Sequence, residues 1–227
     1  MILDSRQRLF FVLAATFCTC LTVGDIIGGK LIEIPVLGVT FTTTVGMIPF
    51  PVTFLLTDVL NEFYGKSAAR FVTLVGFGMA VLAFVLIFIA GVVPIAPMAQ
   101  QPDWQGVTEA GFANVFLGSQ RMIIASLSAY LISQFVDIAA FHFLRRVTNG
   151  RFLWLRASGS TAISQLVDTI VINLVAWVGM MPLDKILQIV FSAYGLKLLI
   201  ALGLTPAIYA CHAAVERFGG MRPFHHG

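Results

Sequence analysis

Charged residues are scarce in this sequence, and their scarcity limits the class of protein it can encode. Only 11% of the 227 residues are Asp, Glu, Lys or Arg, whereas 58% are hydrophobic. Soluble domains usually carry roughly 25% charged residues, because their surfaces face water. The composition therefore argues against an ordinary soluble domain and predicts a single membrane-embedded domain that covers residues 1–227.

Motifs for nucleotide, metal and disulfide chemistry are missing as well. The sequence has no GxxxxGK[ST] phosphate loop, no HExxH motif and no Cys/His cluster. Three cysteines, Cys18, Cys20 and Cys211, lie inside apolar stretches, and we interpret them as packing residues. We therefore expect no cofactor, no catalytic residue and no metal ligand. Any use of ATP would need a separate ATPase module as a partner.

Six stretches are long and apolar enough to cross a bilayer, which takes about 20 residues. They lie at about 9–28, 44–63, 70–94, 119–143, 160–181 and 188–214. The first stretch carries Asp25 and runs into Gly28, Gly29 and Lys30 rather than into a small-residue cleavage site, so we expect a retained helix and not a signal peptide. The predicted fold class is all-α, a polytopic membrane protein with six transmembrane helices.

The basic residues predict the orientation of these helices. In a six-helix arrangement ten of them fall on one side: Arg6, Arg8, Lys66, Arg70, Arg145, Arg146, Arg151, Arg156, Arg217 and Arg222. The other four are Lys30, Arg121, Lys185 and Lys197. The positive-inside rule then places both termini in the cytoplasm and the hydrophilic connection 95–118 outside, in a multi-pass protein of the inner (cytoplasmic) membrane. Because this charge pattern reflects topology, we expect no binding of nucleic acid.

Polar side chains interrupt the apolar helices, where each Asp or Lys costs roughly 2.5–3.5 kcal/mol on insertion scales. The candidate site residues are Asp58, Asn61, Glu62, Gln134, Asp137, Ser164, Gln165, Asp168 and Lys197. At a rise of about 1.5 Å per residue, Asp137 and Asp168 lie about 9 Å and about 12 Å from the cytoplasmic ends of their predicted helices. The carboxylates are thus expected at a common depth in the inner half of the membrane. Lys197 is interpreted either as an ion-pair partner of Asp168 or Asp137, or as a substrate or proton-relay group.

Two segments repeat across the fourth and fifth helices, SQFVD at 133–137 and SQLVD at 164–168. In each copy Gln and Asp are three residues apart, so both project to one helix face. A small inverted repeat with polar groups at membrane depth is typical of secondary carriers. Hydrogen bonding between helices by Ser and Gln is the alternative explanation.

Two prolines, Pro49 and Pro51, interrupt the start of the second apolar stretch. A regular helix that begins at Pro51 reaches only about 20 Å by residue 64, which is short of a full span. Residues 40–50 are therefore predicted either as a broken lead-in that lines a cavity or as a tilted helix with a proline kink.

Two further segments carry a resemblance to a known family. TDVLNEFYGKSAAR (57–70) and LRASGSTAISQLVDT (155–169) resemble the signature segments of the queuosine precursor transporter family, in the vitamin-uptake-like VUT group. The resemblance extends over the whole chain, including its length and its six hydrophobic stretches. It implies uptake of 7-cyano-7-deazaguanine or 7-aminomethyl-7-deazaguanine, a planar deazapurine base, across the lipid bilayer.

The candidate residues suit such a base. A carboxylate can accept its adjacent ring N–H and amino group, and Gln can meet its carbonyl and amide edge. We hypothesise that Asp168 and Gln165, with Asp137 and Gln134 opposite, form the pocket. Asp58, Asn61 and Glu62 would form an inner gate or second wall. An aromatic wall would be supplied by Phe54, Phe63, Tyr64 or Phe135.

Other functions are compatible with parts of the same sequence. The strongest alternative is the substrate-binding membrane subunit of an energy-coupling-factor type vitamin or nucleobase importer, which relies on a separate ATPase. An intramembrane enzyme is disfavoured because the sequence shows no evident Ser–His pair and no metal motif. A channel is disfavoured because the polar groups form a patch and not rings along a pore. Both a monomer and a homo-oligomer are compatible with the sequence.

Overall fold

The computed structural model of the protein describes residues 4–36, 38–148 and 153–219. The first helix, α1 (Ser5–Ile27), begins at a capping box in which Asp4 and Gln7 exchange side-chain and backbone hydrogen bonds of 2.7 Å and 3.2 Å. These bonds satisfy backbone N–H groups that the first helical turn leaves free. The helix ends at Gly28, whose N–H donates to the carbonyl of Asp25.

An antiparallel hairpin follows α1 and is the main departure from the predicted all-α fold. Strand β1 (Leu31–Val36) pairs with β2 (Val39–Thr44), and Gly38 supplies a positive φ of 82° in the turn. The β-branched run in β2 and the alternation in β1 favour strands over helix. The hairpin is tied to the last helix because the N–H of Thr42 donates to Oγ of Ser192 at 2.9 Å.

Residues between the hairpin and the second helix are irregular. A short 3-10 helix (Val45–Met47) leads to α2 (Phe50–Val92), which has Pro51 in its first turn, where the missing N–H carries no penalty. Of the two interpretations of residues 40–50, this geometry matches the broken lead-in rather than a helix with a proline kink. The predicted start of a helix at 44 is therefore wrong by six residues, since 44 ends a strand.

Helix α2 consists of two helical segments separated by a sharp break. Gly65 has φ 81° and ψ 166°, values that are not helical and that glycine adopts without a steric penalty. Next to the break, an Arg6 guanidinium nitrogen donates to the carbonyl of Phe63 at 2.9 Å, and the Tyr64 hydroxyl donates to the carbonyl of Arg6 at 2.7 Å. The start of α1 is therefore fastened to α2 where its direction changes.

The second half of the chain is helical over most of its described length. A four-residue helix, α3 (Glu109–Phe112), continues through a π-helical turn (Ala113–Leu117) into α4 (Gly118–Val147). Helices α5 (Leu153–Trp177) and α6 (Leu183–Gly219) follow, and α4 packs more extensively against α5 than against any other described element. The predicted boundaries for these two helices, 160–181 and 188–214, thus differ from the observed ones by several residues.

Within the described residues, three helices are long and apolar enough to cross a membrane: Ser5–Ile27, Ser67–Val92 and Glu109–Ser133. Two shorter apolar helices lie at Val45–Asn61 and Ala162–Trp177. Along the second half of α2 large apolar side chains are exposed, among them Phe71, Leu74, Leu86, Phe88 and Ile89. Such a surface is suited to lipid rather than to water, and the chain is therefore a multi-pass helical membrane protein.

Candidate functional site

A cavity of about 190 Å³ lies where the main helices and the hairpin meet. Its walls come from α1, from the end of β2 and the 3-10 turn, and from α2, α4, α5 and α6. The polar lining residues are Asp25, Thr43, Thr44, Thr53, Ser126, Thr169, Asn173 and Lys197. This volume is below the roughly 300–1,000 Å³ of sites for drug-sized ligands, so the cavity suits a small solute. We refer to it as the central cavity.

Glycines allow three elements to approach closely at one side of the central cavity. A Cβ added at Gly46 would lie 2.8 Å from the carbonyl oxygen of Gly24, and one at Gly28 would lie 2.9 Å from Cγ of Met122. The 3-10 turn and α1 therefore pack at backbone distance, and the Met122 side chain of α4 packs directly on Gly28. This close packing positions the threonines at the end of β2 in the wall of the cavity, opposite the helices.

Lys197 brings a positive charge to the central cavity. Its Nζ lies 3.2 Å from Oδ2 of Asp168 and 3.2 Å from Oγ1 of Thr169, and 5.5 Å from the ring centroid of Phe50. The Lys197 and Asp168 side chains are 15% and 23% exposed. Lys197 lines the cavity. Asp168 lies outside the lining and forms an ion pair with the ammonium group. This is the ion pair that the sequence proposed for Lys197.

The α5 wall of the cavity is held by local hydrogen bonds. Thr169 donates to the carbonyl of Gln165 at 2.8 Å, and Nδ2 of Asn173 donates to the carbonyl of Thr169 at 2.8 Å. Thr169 and Asn173 are buried, with 1% and 5% exposure. Asn173 keeps its amide oxygen and a second N–H for further partners, since a primary amide has two donors and one acceptor atom.

Asp25 lines the central cavity, although the sequence did not lead us to assign it to the site. Its side chain is 7% exposed, lies against the Ser126 hydroxyl and lines the central cavity. Within the described part of the chain, its Oδ2 atom has no hydrogen-bond partner. The signal was present in the sequence, because an acidic residue inside an apolar helix is costly, but Asp25 entered only the argument against a signal peptide.

The other predicted site residues divide into two groups. Ser164 and Gln165 lie on α5, one buried and the other half-buried, and Asn61 is exposed on α2. None of these three lines the central cavity. The side chains of Asp58, Glu62, Gln134 and Asp137 lie outside the part of the chain that the structure describes.

The depth expected for Asp168 needs correction. Because α5 begins at Leu153 and ends at Trp177, Asp168 lies about 22 Å from its first residue and about 14 Å from its last. It is therefore in the half of α5 next to Trp177, which the predicted topology places outside. The error came from the predicted helix start at 160.

The aromatic wall also differs from the expectation. Phe63 is fully buried and Phe135 is 73% exposed, and neither lines the central cavity. Phe50 lines the central cavity instead. It was not predicted, because 20 phenylalanines leave the sequence unable to single one out.

A second cavity of about 710 Å³ borders the first at Met122. Its lining includes Lys30, Trp177 and residues of the π-helical turn, a feature that often occurs at functional sites. Arg121 also lines it and donates from Nε to the carbonyl of Val175 at 2.9 Å, where the carbonyls at the end of α5 lack helical partners. We refer to it as the outer cavity.

A polar cavity that is lined by the lysine of a part-buried ion pair and surrounded by apolar helices is typical of one class of integral membrane protein, the solute transporters. Residues 44–211 match the family described as "Putative vitamin uptake transporter". The chain belongs to this family and, within it, to the queuosine precursor transporters, which confirms the resemblance at 57–70 and 155–169. The family consists of transporters rather than enzymes.

Three similar relatives carry related names. The "Probable queuosine precursor transporter" of Bacillus subtilis (strain 168) is 35% identical over 171 residues, 74% of this chain and 71% of that protein. The "Queuosine precursor transporter" of Escherichia coli (strain K12) is 28% identical over 65% of this chain and 61% of its own length. The Haemophilus influenzae relative, also a "Probable queuosine precursor transporter", is 27% identical over 61% and 53%. No solved structure shows a significant match to the chain.

Proposed function

We propose that the chain imports a queuosine precursor, 7-cyano-7-deazaguanine or 7-aminomethyl-7-deazaguanine, into the cytoplasm through the central cavity. The observation that carries the proposal is the 35% identity over 74% of the chain to a relative with that name. The central cavity supports it, because it combines hydrogen-bonding groups with an aromatic ring, Phe50, at membrane depth. A planar base with a polar rim requires both.

The topology we propose has six spans with both termini in the cytoplasm. The break at Gly65 supports it, because it separates a shorter apolar helix, Val45–Asn61, from Ser67–Val92, which is long enough for a span, with Lys66 and Arg70 beside the turn. The membrane is the inner (cytoplasmic) one. The outer cavity then faces the exterior and serves as the approach to the central cavity, with Met122 between the two.

Within the central cavity the base is proposed to stack on Phe50 and to accept a hydrogen bond from Lys197 at its ring carbonyl. The ammonium group has three N–H donors and spends two on Asp168 and Thr169, which leaves one for a ligand. Asp168 and Gln165, the predicted pocket residues, would then act on the substrate largely through Lys197 and Thr169. The predicted contributions of Asp137, Gln134, Asp58, Asn61 and Glu62 remain part of the proposal.

Uptake in a bacterium that can neither synthesise deazaguanine precursors nor import them tests this function. Cells that express the chain should incorporate supplied 7-cyano-7-deazaguanine into tRNA as queuosine, measured by mass spectrometry of nucleosides. Failure to do so for both precursors, with the protein present in the membrane, would refute the proposal. Expression in a host without an energy-coupling ATPase module shows whether the chain works alone, and collapse of the proton gradient tests coupling.

The pocket is tested by two variants, Asp168→Asn and Gln165→Ala. We expect Asp168→Asn to reduce the initial uptake rate by roughly 10-fold or more, because Lys197 loses the charged group that orients it. Gln165→Ala should have a smaller effect, since it is the backbone carbonyl of Gln165 that holds Thr169. Wild-type uptake in both variants, at equal membrane abundance, would show that these residues do not serve the substrate.

A further inference from the structure

Asp25 places a hydrogen-bond acceptor without a partner in the wall of the central cavity, as judged from the described residues. The side chain is 7% exposed, and within the described residues its Oδ2 atom has no hydrogen-bond partner. Buried carboxylate oxygens are normally paired, because loss of hydration without a replacement partner is costly. The cost is greater still at membrane depth, where ionisable residues mark binding or transport pathways. An unpaired acceptor in this position indicates that its partner is a ligand that binds reversibly.

The lysine that lines the central cavity does not fill that role. Lys197 lines the same cavity, but its Nζ contacts Asp168 and Thr169, both at 3.2 Å. The described contact of the Asp25 side chain is with the hydroxyl of Ser126 on α4. A hydroxyl supplies one hydrogen, and a carboxylate has about four lone-pair sites, so most of the acceptor capacity of Asp25 is unsatisfied within the described residues.

The backbone around Asp25 is held firmly. Its carbonyl accepts the N–H of Gly28 in the last turn of α1. Gly24 of α1 and Gly46 of the 3-10 turn pack against each other at backbone distance. Gly24, Gly28 and Gly46 line the cavity together with Asp25. The carboxylate is therefore presented by a rigid segment, as a recognition group must be if it is to distinguish similar ligands.

We infer that Asp25 is a specificity-determining residue that accepts the adjacent ring N–H and exocyclic amino group of a 2-amino-substituted planar heterocycle. The inference rests on the proposed function. It assigns recognition of the amino group to Asp25 on α1, which contacts Ser126 of α4, and not to the ion pair formed by Asp168 and Lys197. Ser126 is a positioning residue, because its hydroxyl orients the carboxylate. Two parallel N–H donors match a carboxylate, so a base that lacks the amino group leaves one oxygen unsatisfied.

Binding of two ligands that differ only in the amino group measures this role. The probes are 7-deazaguanine and 7-deazahypoxanthine, titrated by calorimetry into purified full-length protein in lipid nanodiscs. Wild type should bind 7-deazaguanine roughly 10- to 100-fold more tightly, the range expected for one hydrogen bond to a charged acceptor. Asp25→Asn should bring the two dissociation constants to within about 3-fold, because the amide replaces one acceptor with a donor.

A matched control and a milder variant keep the test decisive. Asp184→Asn removes an exposed aspartate at the start of α6, outside the cavity lining, and should leave the ratio of the two affinities unchanged. Ser126→Ala keeps the carboxylate and should reduce the ratio without abolishing it. If Asp25→Asn does not fold, judged by its melting temperature, the ratios of wild type and Ser126→Ala decide the question.

The outcomes separate this inference from the proposed function. Equal affinity of wild type for the two ligands would overturn the role of Asp25 and leave the import of deazapurines intact. An unchanged ratio in folded Asp25→Asn, or in Ser126→Ala when Asp25→Asn does not fold, would overturn it too. Binding of neither ligand, together with failure of the uptake of both precursors in cells, would refute the proposed function itself.

Discussion

Asp168→Asn removes the carboxylate that faces the ammonium group of Lys197 at 3.2 Å. Loss of one partner from a buried ion pair costs about 3–5 kcal/mol, because the remaining charge is left uncompensated. Here the pair keeps 15% and 23% of its side-chain surface exposed, and Lys197 retains Oγ1 of Thr169 at 3.2 Å. We therefore expect a smaller loss than that, about 2–3 kcal/mol of unfolding free energy.

A double-mutant cycle measures the interaction itself. Lys197→Met should also cost about 2–3 kcal/mol, and the double variant should lose less than the sum of the two single losses by about 1–2 kcal/mol. The assay is SDS-induced unfolding in mixed micelles, followed by circular dichroism. Asp184→Asn, at an exposed position, serves as the control and should change stability by less than about 0.5 kcal/mol.

Two results would refute this reasoning. Additivity of the two single variants to within about 0.5 kcal/mol would show that the charges do not interact in the protein. A fully stable Asp168→Asn would show that Lys197 finds another partner or turns away from the cavity.

Three other substitutions test the packing and the lining of the cavities. Gly46→Ala should destabilise the protein by about 1–3 kcal/mol, since its Cβ would lie 2.8 Å from the carbonyl oxygen of Gly24. The control Gly29→Ala has nothing within 4 Å of the added Cβ and should not destabilise it. Equal melting temperatures of the two variants would contradict the close packing. Arg121→Met should cost about 1–3 kcal/mol, because carbonyls at the end of α5 lose a charged donor, and unchanged SDS unfolding would argue against that contact. Phe50→Ala should weaken 7-deazaguanine binding roughly 5- to 10-fold by loss of stacking, and wild-type affinity in calorimetry would exclude Phe50 from the binding surface.

Local patterns in the sequence predicted the parts of the fold that depend on lipid. A helix enters the bilayer when about 20 consecutive residues are apolar, and this condition does not depend on which helices later become neighbours. The apolar character of Ser5–Ile27 and Ser67–Val92 was therefore predictable. The hairpin formed by Leu31–Val36 and Val39–Thr44 was not predicted, because its alternation and the glycine of its turn, Gly38, leave no mark in the hydropathy of the chain. Helix ends were also poorly predicted, and the early start of α5 moved Asp168 along its helix.

The neighbours of each polar group were less predictable. The sequence proposed Asp168 or Asp137 as partner for Lys197, and the structure shows Asp168. Asp25 lies 143 residues from Asp168 in the chain, and no periodicity connects the two. That Asp25 lines the same cavity as Lys197, the partner of Asp168, follows from the rotation of α1 about its axis and from its contact with Gly46 of the 3-10 turn.

The scarcity of charge with which the sequence begins determined that this is a helical membrane protein, and its motifs determined its family. Both properties are readable from the chain because apolar length and short motifs are local. The tertiary structure alone decided which of the few charges are paired and which remains open. That decision depends on helix rotation and on close glycine contacts between distant segments, and it left Lys197 with Asp168 and the carboxylate of Asp25 facing the cavity.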